Sequence, residues 1–304
     1  MSPGSNNARR ARPLLGTFVE IAVADAAPSD MRAAIDAAFD AVAKVHALMS
    51  FHDANSDVGR LNSEAFARPL GVHRWTFQVL EAAVDLHWCS AGLFDIAIAP
   101  ILQNMGLLPR PLAHRAANSG DMATSAAIEL MSDHRVRFHH PGIRIDLGGI
   151  AKGFAVDRAI EALRDFGISR GVVNAGGDLA AFGPHSETVY IRDPLDPSRL
   201  MCAIEIENQA LASSGNYFDP FRSASPLELT IIDPRTHKPA SMINAATVRA
   251  SSCLIADALT KVVMLAGSAA AALLEQYQAS ALVVLPTGDI EMTQDLQSAV
   301  CLAA

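Results

Sequence analysis

Apolar positions along the chain recur at two spacings, and these mark most of its elements. Every second residue is apolar through much of residues 14–24 (Leu-Leu-Gly-Thr-Phe-Val-Glu-Ile-Ala-Val-Ala), which predicts a strand. Pro28-Ser29-Asp30 opens a helix to about Met49, with Ile35, Phe39, Val42, Val45 and Met49 at helical spacing. Residues 50–62 read as a polar loop carrying Asp53, Asp57 and Asn62. A second helix runs from about His73 to Ala91, burying Trp75, Val79, Ala82 and Leu86, with Gly92 as its C-cap. Pro109, Pro111, Ser119 and Gly120 make residues 109–124 the best linker candidate. A hairpin is expected from Arg135–His139, a Pro141-Gly142 turn and a strand over 143–147. A helix follows over about 150–166, then a strand at 171–174 and short strands from 178 to 235. Helices over about 253–266 and 268–276 precede a last strand, 281–285. Long helices set among runs of strands imply an α+β fold rather than strict βαβ alternation.

The strand with Ile143, Ile145 and Leu147 runs into a paired glycine, Gly148-Gly149, then Lys152 at the start of a helix. Glycines allow close backbone approach, and the free N–H groups of a helix start attract an anion. Lys152 could reach that anion, with Asp146 as an acceptor at the strand end, so the segment reads as a cradle for a phosphate or pyrophosphate. It is neither GxxxxGK[ST] nor GxGxxG. An ordinary strand-to-helix turn with a solvated lysine is the competing reading. A second paired-glycine turn, Gly176-Gly177-Asp178, follows a buried strand in the same way and could face the same ligand or simply close a tight hairpin.

Composition narrows the function classes. At 304 residues the chain could form two ordinary domains or one large one, and half of it is hydrophobic. A net charge of −8 argues against nucleic acid and anionic membranes as partners, but not against a phosphorylated ligand held by a local basic patch. Four scattered cysteines (Cys89, Cys202, Cys253, Cys301) show no zinc spacing and read as reduced thiols. No run is read as transmembrane. Residues 1–13 are polar, with Arg9, Arg10 and Arg12 but no apolar segment of a leader behind them, and are expected to be a disordered tail. A cytoplasmic protein is expected.

The helix around 253–266 places Asp257, Thr260 and Lys261 on one face. Aspartate and threonine there could supply oxygen ligands to Mg²⁺, or Asp257 and Lys261 could form a helical ion pair. Asp233-Pro234 ends a strand and starts a turn. Ser213-Ser214-Gly215-Asn216-Tyr217 reads as a polar loop. His134, His139 and His140 read as surface histidines, and no nucleophile elbow is present.

Together these segments resemble the FAD:protein FMN transferase (ApbE) family. Leu15-Gly16-Thr17 is similar to its Met-Gly-Thr. Met49-Ser50-Phe51-His52 through Arg60-Leu61-Asn62 is similar to its Met-Ser-x-Tyr…Arg-Leu-Asn loop. Phe94-Asp95 through Pro100 is similar to Phe-Asp-x-Thr-x-x-Pro. Asp146-Leu147-Gly148-Gly149-Ile150-Ala151-Lys152-Gly153 matches its most specific signature. Asn174–Asp178, Ser214-Gly215, Asp233-Pro234-Arg235-Thr236 and Ala256-Asp257-Ala258-Leu259 follow in the family's order. The resemblance implies ApbE-like (T-fold-like) antiparallel sheets with packed helices, in one large intertwined unit over 14–304. It also implies a Mg²⁺-dependent enzyme that splits FAD, moves FMN to a Ser or Thr hydroxyl of a target flavoprotein and releases AMP. A flavin-binding protein without transfer chemistry and a metal-dependent FAD pyrophosphatase giving FMN and AMP are the alternatives. By the same resemblance, Leu15, His52, Phe94, Asp95, Ile96, Asp146, Lys152, Ser214, Gly215 and Ile232 would contact FAD. Gly149, Asp257, Thr260 and Lys261 would surround the metal, and Asp257, Thr230 and Asp233 would serve the chemistry. Three positions depart from the family pattern: Thr230 stands where a histidine is common, His237 replaces a glycine, and Lys261 replaces a Ser or Thr metal ligand. An ammonium at 261 could take the cation's place or pair with Asp257.

Overall fold

A computed structural model describes residues 7–24, 27–109, 123–196, 198–215 and 231–302. The chain begins with a hairpin, β1 (Asn7–Leu14) and β2 (Thr17–Ala24), closed by Leu15-Gly16. Residues 7–13 are therefore strand and not tail. Arg9 and Arg12 pair with Glu20 and Asp36, so charge on this edge strand is met within the fold. The helix α1 (Pro28–Met49) matches its sequence pattern, burying Ile35, Phe39, Val42 and Val45.

A further helix, α2 (Asp57–Glu64), stands where a loop was expected. Ser56 caps it, its Oγ accepting from Gly59 N at 2.9 Å. Its polar residues are occupied inside the fold: the buried Asp57 carboxylate accepts from His73 N at 2.8 Å and Thr76 Oγ1 at 2.7 Å. Next come β3 (Leu70–Gly71), α3 (Arg74–Cys89) and α4 (Ala99–Asn104). The expected hairpin at 135–147 is instead β4 (Ile128–Met131) against β5 (Arg135–Phe138), turning through Asp133 and His134 at positive φ. Ile143, Ile145 and Leu147 are buried as their alternation predicted, but they pair with no strand. Asn62 takes a strand's place: its Oδ1 accepts from Ile145 N at 2.7 Å and its Nδ2 donates to Ile145 O at 2.9 Å.

The remaining elements are α5 (Ala151–Asp165), β6 (Arg170–Ala175), β7 (Asp178–Phe182), β8 (Glu187–Arg192), β9 (Leu200–Ile206) and β10 (Ala210–Gly215). After the short pair β11 (Ile232–Asp233) and β12 (Lys238–Pro239) come β13 (Ala245–Ala250), α6 (Cys253–Ala266) and α7 (Ala271–Gln276). The chain closes with β14 (Ser280–Val284), β15 (Ile290–Met292), α8 (Gln294–Gln297) and β16 (Val300–Leu302). Ser213 and Ser214 thus lie in a strand and not in a loop. The linker expected at 109–124 falls mostly outside the described residues.

The chain divides into two compact units, each assembled from separate stretches. The first comprises Met1–His46, Lys152–Tyr217 and Ser241–Ala304. Its antiparallel sheet has the order β1-β2-β6-β7-β10-β13-β14-β15. A smaller sheet, β16-β9-β8, contributes Cys202, Ile204 and Ile206 to a core shared with Leu179, Leu211, Leu282 and Val284. α6 packs on β7, β10 and β13. β7 and β14 are buried at every residue, and apart from Asp178 at the start of β7 they read as small and apolar runs. Cys253–Gln276 is apolar and long enough by composition to span a membrane. Here it is α6, a 3₁₀ turn and α7, interrupted at Gly267 (φ 56°) and more than half buried in the fold. The second unit, Ala47–Ala151 and Phe218–Ala240, holds α2, α3, α4, the sheet β3-β5-β4 and the pair β11-β12. Mixed α+β architecture with antiparallel sheets and packed helices is what the sequence implied.

Candidate active site

In the first unit, three elements bring charged residues together. Gly176 and Gly177 (φ 67° and 101°) close β6 onto β7 in a two-residue turn whose backbone suits glycine. The tight-hairpin reading of this turn is correct, and it places Asp178, fully buried, at the start of β7. The first turn of α5 supplies Lys152 and Gly153, and α6 supplies Asp257, Thr260 and Lys261. A Cβ on Gly153 would lie 2.1 Å from Cys253 O and 2.8 Å from Asp257 Cβ. Glycine here serves close contact between α5 and α6. The freed Gly153 N–H donates to Asp257 Oδ2 at 3.0 Å. Asp157 completes the junction, accepting from Cys253 N at 2.8 Å and Leu254 N at 2.9 Å and so capping the positive end of α6. Burial pushes the Asp157 carboxyl up to about 6 against those two bonds.

Two lysines and two aspartates then form one cluster. Lys152 Nζ donates to Asp178 Oδ2 and lies 3.8 Å from Asp257 Oδ1. Lys261 Nζ donates to Asp257 Oδ1 and, at 3.0 Å, to the Asp257 carbonyl. Thr260 Oγ1 donates to that carbonyl at 2.7 Å and lies 2.8 Å from Ser214 Oγ. The carboxylates are buried, while the lysine side chains remain 26% and 19% exposed. Burial alone would lower the pKa of Lys152, but the charges of Asp178 and Asp257 outweigh it and hold the ammonium above the ordinary lysine value. Burial would raise Asp257, yet Lys152 and Lys261 bring it below the usual carboxylate range. Asp178 is raised by burial and by the charge of Asp257. The result is a pair of ammonium groups held by buried carboxylates, with the lysine side chains partly exposed.

The second unit gathers another set. The Asp146 carboxyl is held above its usual range by burial, partly opposed by the Gly148 N–H and by His52. Asp146 N donates to Ile96 O at 2.8 Å, and Gly149 lies in the turn that follows. Phe94 is buried beside Asp95. The Asp95 carboxylate caps a short turn, accepting from Ala97 N (2.8 Å) and Ser125 N (3.1 Å) and lying 3.3 Å from His87 Nδ1. Donating to the Asp95 carboxylate raises the pKa of His87, against the effect of burial. An open pocket of about 290 Å³ lies over His87, Trp88, Asp95, Thr124 and Arg235. Ile232 and Asp233 form β11, and Asp233 accepts from Arg235 N at 2.9 Å and from its guanidinium at 3.2 Å. Burial would raise Asp233; Arg235 lowers it, so this carboxylate serves its turn and is a weak base.

Of the candidate residues, Lys152, Ser214, Asp257, Thr260 and Lys261 therefore meet in the first unit, with Gly215 ending β10. Leu15 sits in the β1–β2 turn at φ 56°, a conformation that side chains other than glycine seldom adopt. His52, Phe94, Asp95, Ile96, Asp146, Gly149, Ile232 and Asp233 belong to the second unit. Thr230 lies outside the described residues. Asp178, Asp157, Asn62 and Ser125 are partners that sequence reading did not select. The Gly-Gly-Asp turn was the one signal that pointed to Asp178.

Magnesium needs open oxygen ligands and a net negative surround, usually one or two carboxylates completed by water and phosphate. Asp257 Oδ1 holds Lys261 and Oδ2 holds Gly153 N–H; the Thr260 hydroxyl is engaged by the Asp257 carbonyl and Ser214. Asp178 Oδ1 is the single carboxylate oxygen of the cluster left without a partner among the described residues. Two ammoniums balance the two carboxylates, and no group of three or more His, Cys, Asp or Glu side chains able to hold a metal occurs among the described residues. The residues present do not fit a divalent cation at Asp257.

The sequence and the fold have parallels among known proteins. The ApbE family model matches residues 15–284, and the chain belongs to that family. A FAD:protein FMN transferase of Vibrio cholerae is 26% identical over 258 residues, covering 81% of this chain and 77% of the relative. One of Klebsiella pneumoniae is 26% identical over 261 residues, covering 83% and 82%. Among solved structures, the ApbE protein of Thermotoga maritima superposes with a TM-score of 0.83 at 24% identity, covering 97% of this chain and 99% of that one, a likeness of fold.

Proposed function

We propose that this chain is a transferase that moves FMN from FAD to a Ser or Thr hydroxyl of a target protein and releases AMP. Family membership and the names of its relatives support flavin transfer. The single observation that carries the reading here is the pair of anchored ammoniums, Lys152 in the first turn of α5 and Lys261 on α6. Attack on a pyrophosphate demands positioning and neutralisation of charge on the phosphoryl oxygens more than covalent help from the protein. In the step, the acceptor oxygen forms a bond to the phosphorus of the FMN half. The bond from that phosphorus to the bridging oxygen breaks, AMP leaves with the bridging oxygen, and the hydroxyl proton passes to a base or to water. Lys152 holds its charge through the pH range of the cell because Asp178 and Asp257 keep it protonated. Its ammonium, with Lys261, binds the diphosphate and faces the charge on the departing AMP. Asp178 and Asp257 orient the lysines. The resemblance also implies Mg²⁺, but the residues around Asp257 do not fit it. A flavoprotein of the cytoplasm is the acceptor this reading expects.

Incubation with FAD and a peptide carrying an acceptor threonine tests the proposal. The expected products are a flavinylated peptide, seen by mass spectrometry, and an equal amount of AMP. AMP with free FMN and an unchanged peptide would replace transfer by hydrolysis.

A further inference from the structure

We propose that Lys261 is a built-in cation of this site, so that the chain binds FAD without a divalent metal. The inference rests on the flavin reading only for its FAD arm. Lys261 lies one helical turn after Asp257 on α6, the spacing at which side chains meet. Its ammonium donates to the Asp257 carbonyl at 3.0 Å and to Asp257 Oδ1, a carboxylate oxygen that a metal at this residue would use. Thr260, the other candidate ligand on the helix, has its hydroxyl committed to the Asp257 carbonyl (2.7 Å) and to Ser214 (2.8 Å). Lys152 stands 3.8 Å from the same Oδ1. A dication at Asp257 would have to displace an ammonium tethered to the same helix and then sit beside a second one. Like charges at that range repel strongly where water screens them poorly.

The charge count leads the same way. Lys152 and Lys261 neutralise Asp178 and Asp257, leaving no net charge to attract a dication. With a neutral residue at 261 the cluster would carry a net charge of −1, and a cation would be required before a diphosphate could approach. Lysine at 261 removes that requirement, and its side chain is not wholly buried, at 19% exposed. Placement within one covalent chain makes the cation permanent, independent of the metal supply.

The test uses the full chain and three measurements. Mn²⁺, read by the loss of its free electron-spin-resonance signal, is titrated into the apoprotein. FAD binding is followed by flavin fluorescence in EDTA and in excess Mg²⁺. Both are repeated on Lys261→Thr, with circular dichroism confirming its fold. The wild type is expected to leave Mn²⁺ free and to bind FAD equally well in EDTA and Mg²⁺. Lys261→Thr is expected to bind one equivalent of Mn²⁺. Its FAD affinity should fall about tenfold in EDTA, equivalent to 1.4 kcal/mol, and recover in Mg²⁺. One equivalent of Mn²⁺ bound by the wild type and lost in Asp257→Asn would overturn the proposal, with no variant at 261 needed. A folded Lys261→Thr that binds no Mn²⁺ would overturn it as well. Absence of FMN transfer alone would fall on the proposed activity, since Mn²⁺ binding is read without turnover.

Discussion

Gly153→Ala should be among the most damaging single-methyl changes available to this chain. Its added Cβ would stand 2.1 Å from the Cys253 carbonyl oxygen, 2.5 Å from the carbonyl carbon and 2.8 Å from Asp257 Cβ. Ordinary non-bonded contacts lie near ~3.5 Å, so α5 and α6 would have to part by more than about 1 Å. The obstacle is backbone and cannot rotate aside, which places the overpacking cost at about 3 kcal/mol, the upper end of its usual range. Separation also breaks the bond from Gly153 N to Asp257 Oδ2, and a hydrogen bond to a charged group contributes roughly 2 kcal/mol. Better helix propensity of alanine returns about 1 kcal/mol. A net loss of about 4 kcal/mol follows, to be measured by urea unfolding with far-UV circular dichroism. Gly71→Ala, whose Cβ would meet nothing within 4 Å, is the control and should stay within about 0.5 kcal/mol of wild type. A Gly153→Ala protein as stable as wild type would show that the two helices do not touch as described and would undercut the geometry of the charge cluster.

Asp157 gives a pH signature. Its carboxyl titrates at about 6 in the folded chain against 3.8 when free, so between those values the folded state holds the extra proton. Its contribution to stability therefore falls as pH rises through that window, by at most about 3 kcal/mol, and is constant above it. Thermal unfolding of wild type and Asp157→Asn from pH 4 to 8 should show a difference that shifts between pH 4 and 6 and is flat beyond 7; a pH-independent difference would refute the assignment. Asn62→Ala should strip both backbone partners from the buried Ile145, costing about 3 kcal/mol. A loss under ~0.5 kcal/mol on chemical denaturation, the level of a surface change, would mean that water replaces them.

Hydropathy made α1 and α6 legible almost to the residue, α1 by one buried apolar stripe and α6 as a largely buried apolar helix. Lys152 and Asp257 were legible as motif residues. Their meeting was not, since it depends on Gly153 letting two distant helices touch. Asp178 read as part of a glycine turn and Asp157 carried no signal, and only the assembled sheet and helices reveal the lysine and the helix end that each one serves. α2 was hidden because its polar side chains are satisfied internally, which a hydropathy pattern reads as solvent. Alternation at Ile143, Ile145 and Leu147 correctly signalled burial. It misled on pairing, because an asparagine side chain stands in for the neighbouring strand.

The grip of Asp157 on the first amides of α6 reaches beyond stability. That residue sits one and a half turns along α5, while Gly153 of the same helix holds Asp257 further down α6. The two helices are thus pinned at two points, like a frame fastened by two bolts. Neither can unwind at its beginning, or slide past its neighbour, without releasing the other, so slow breathing of this part of the chain opens both together.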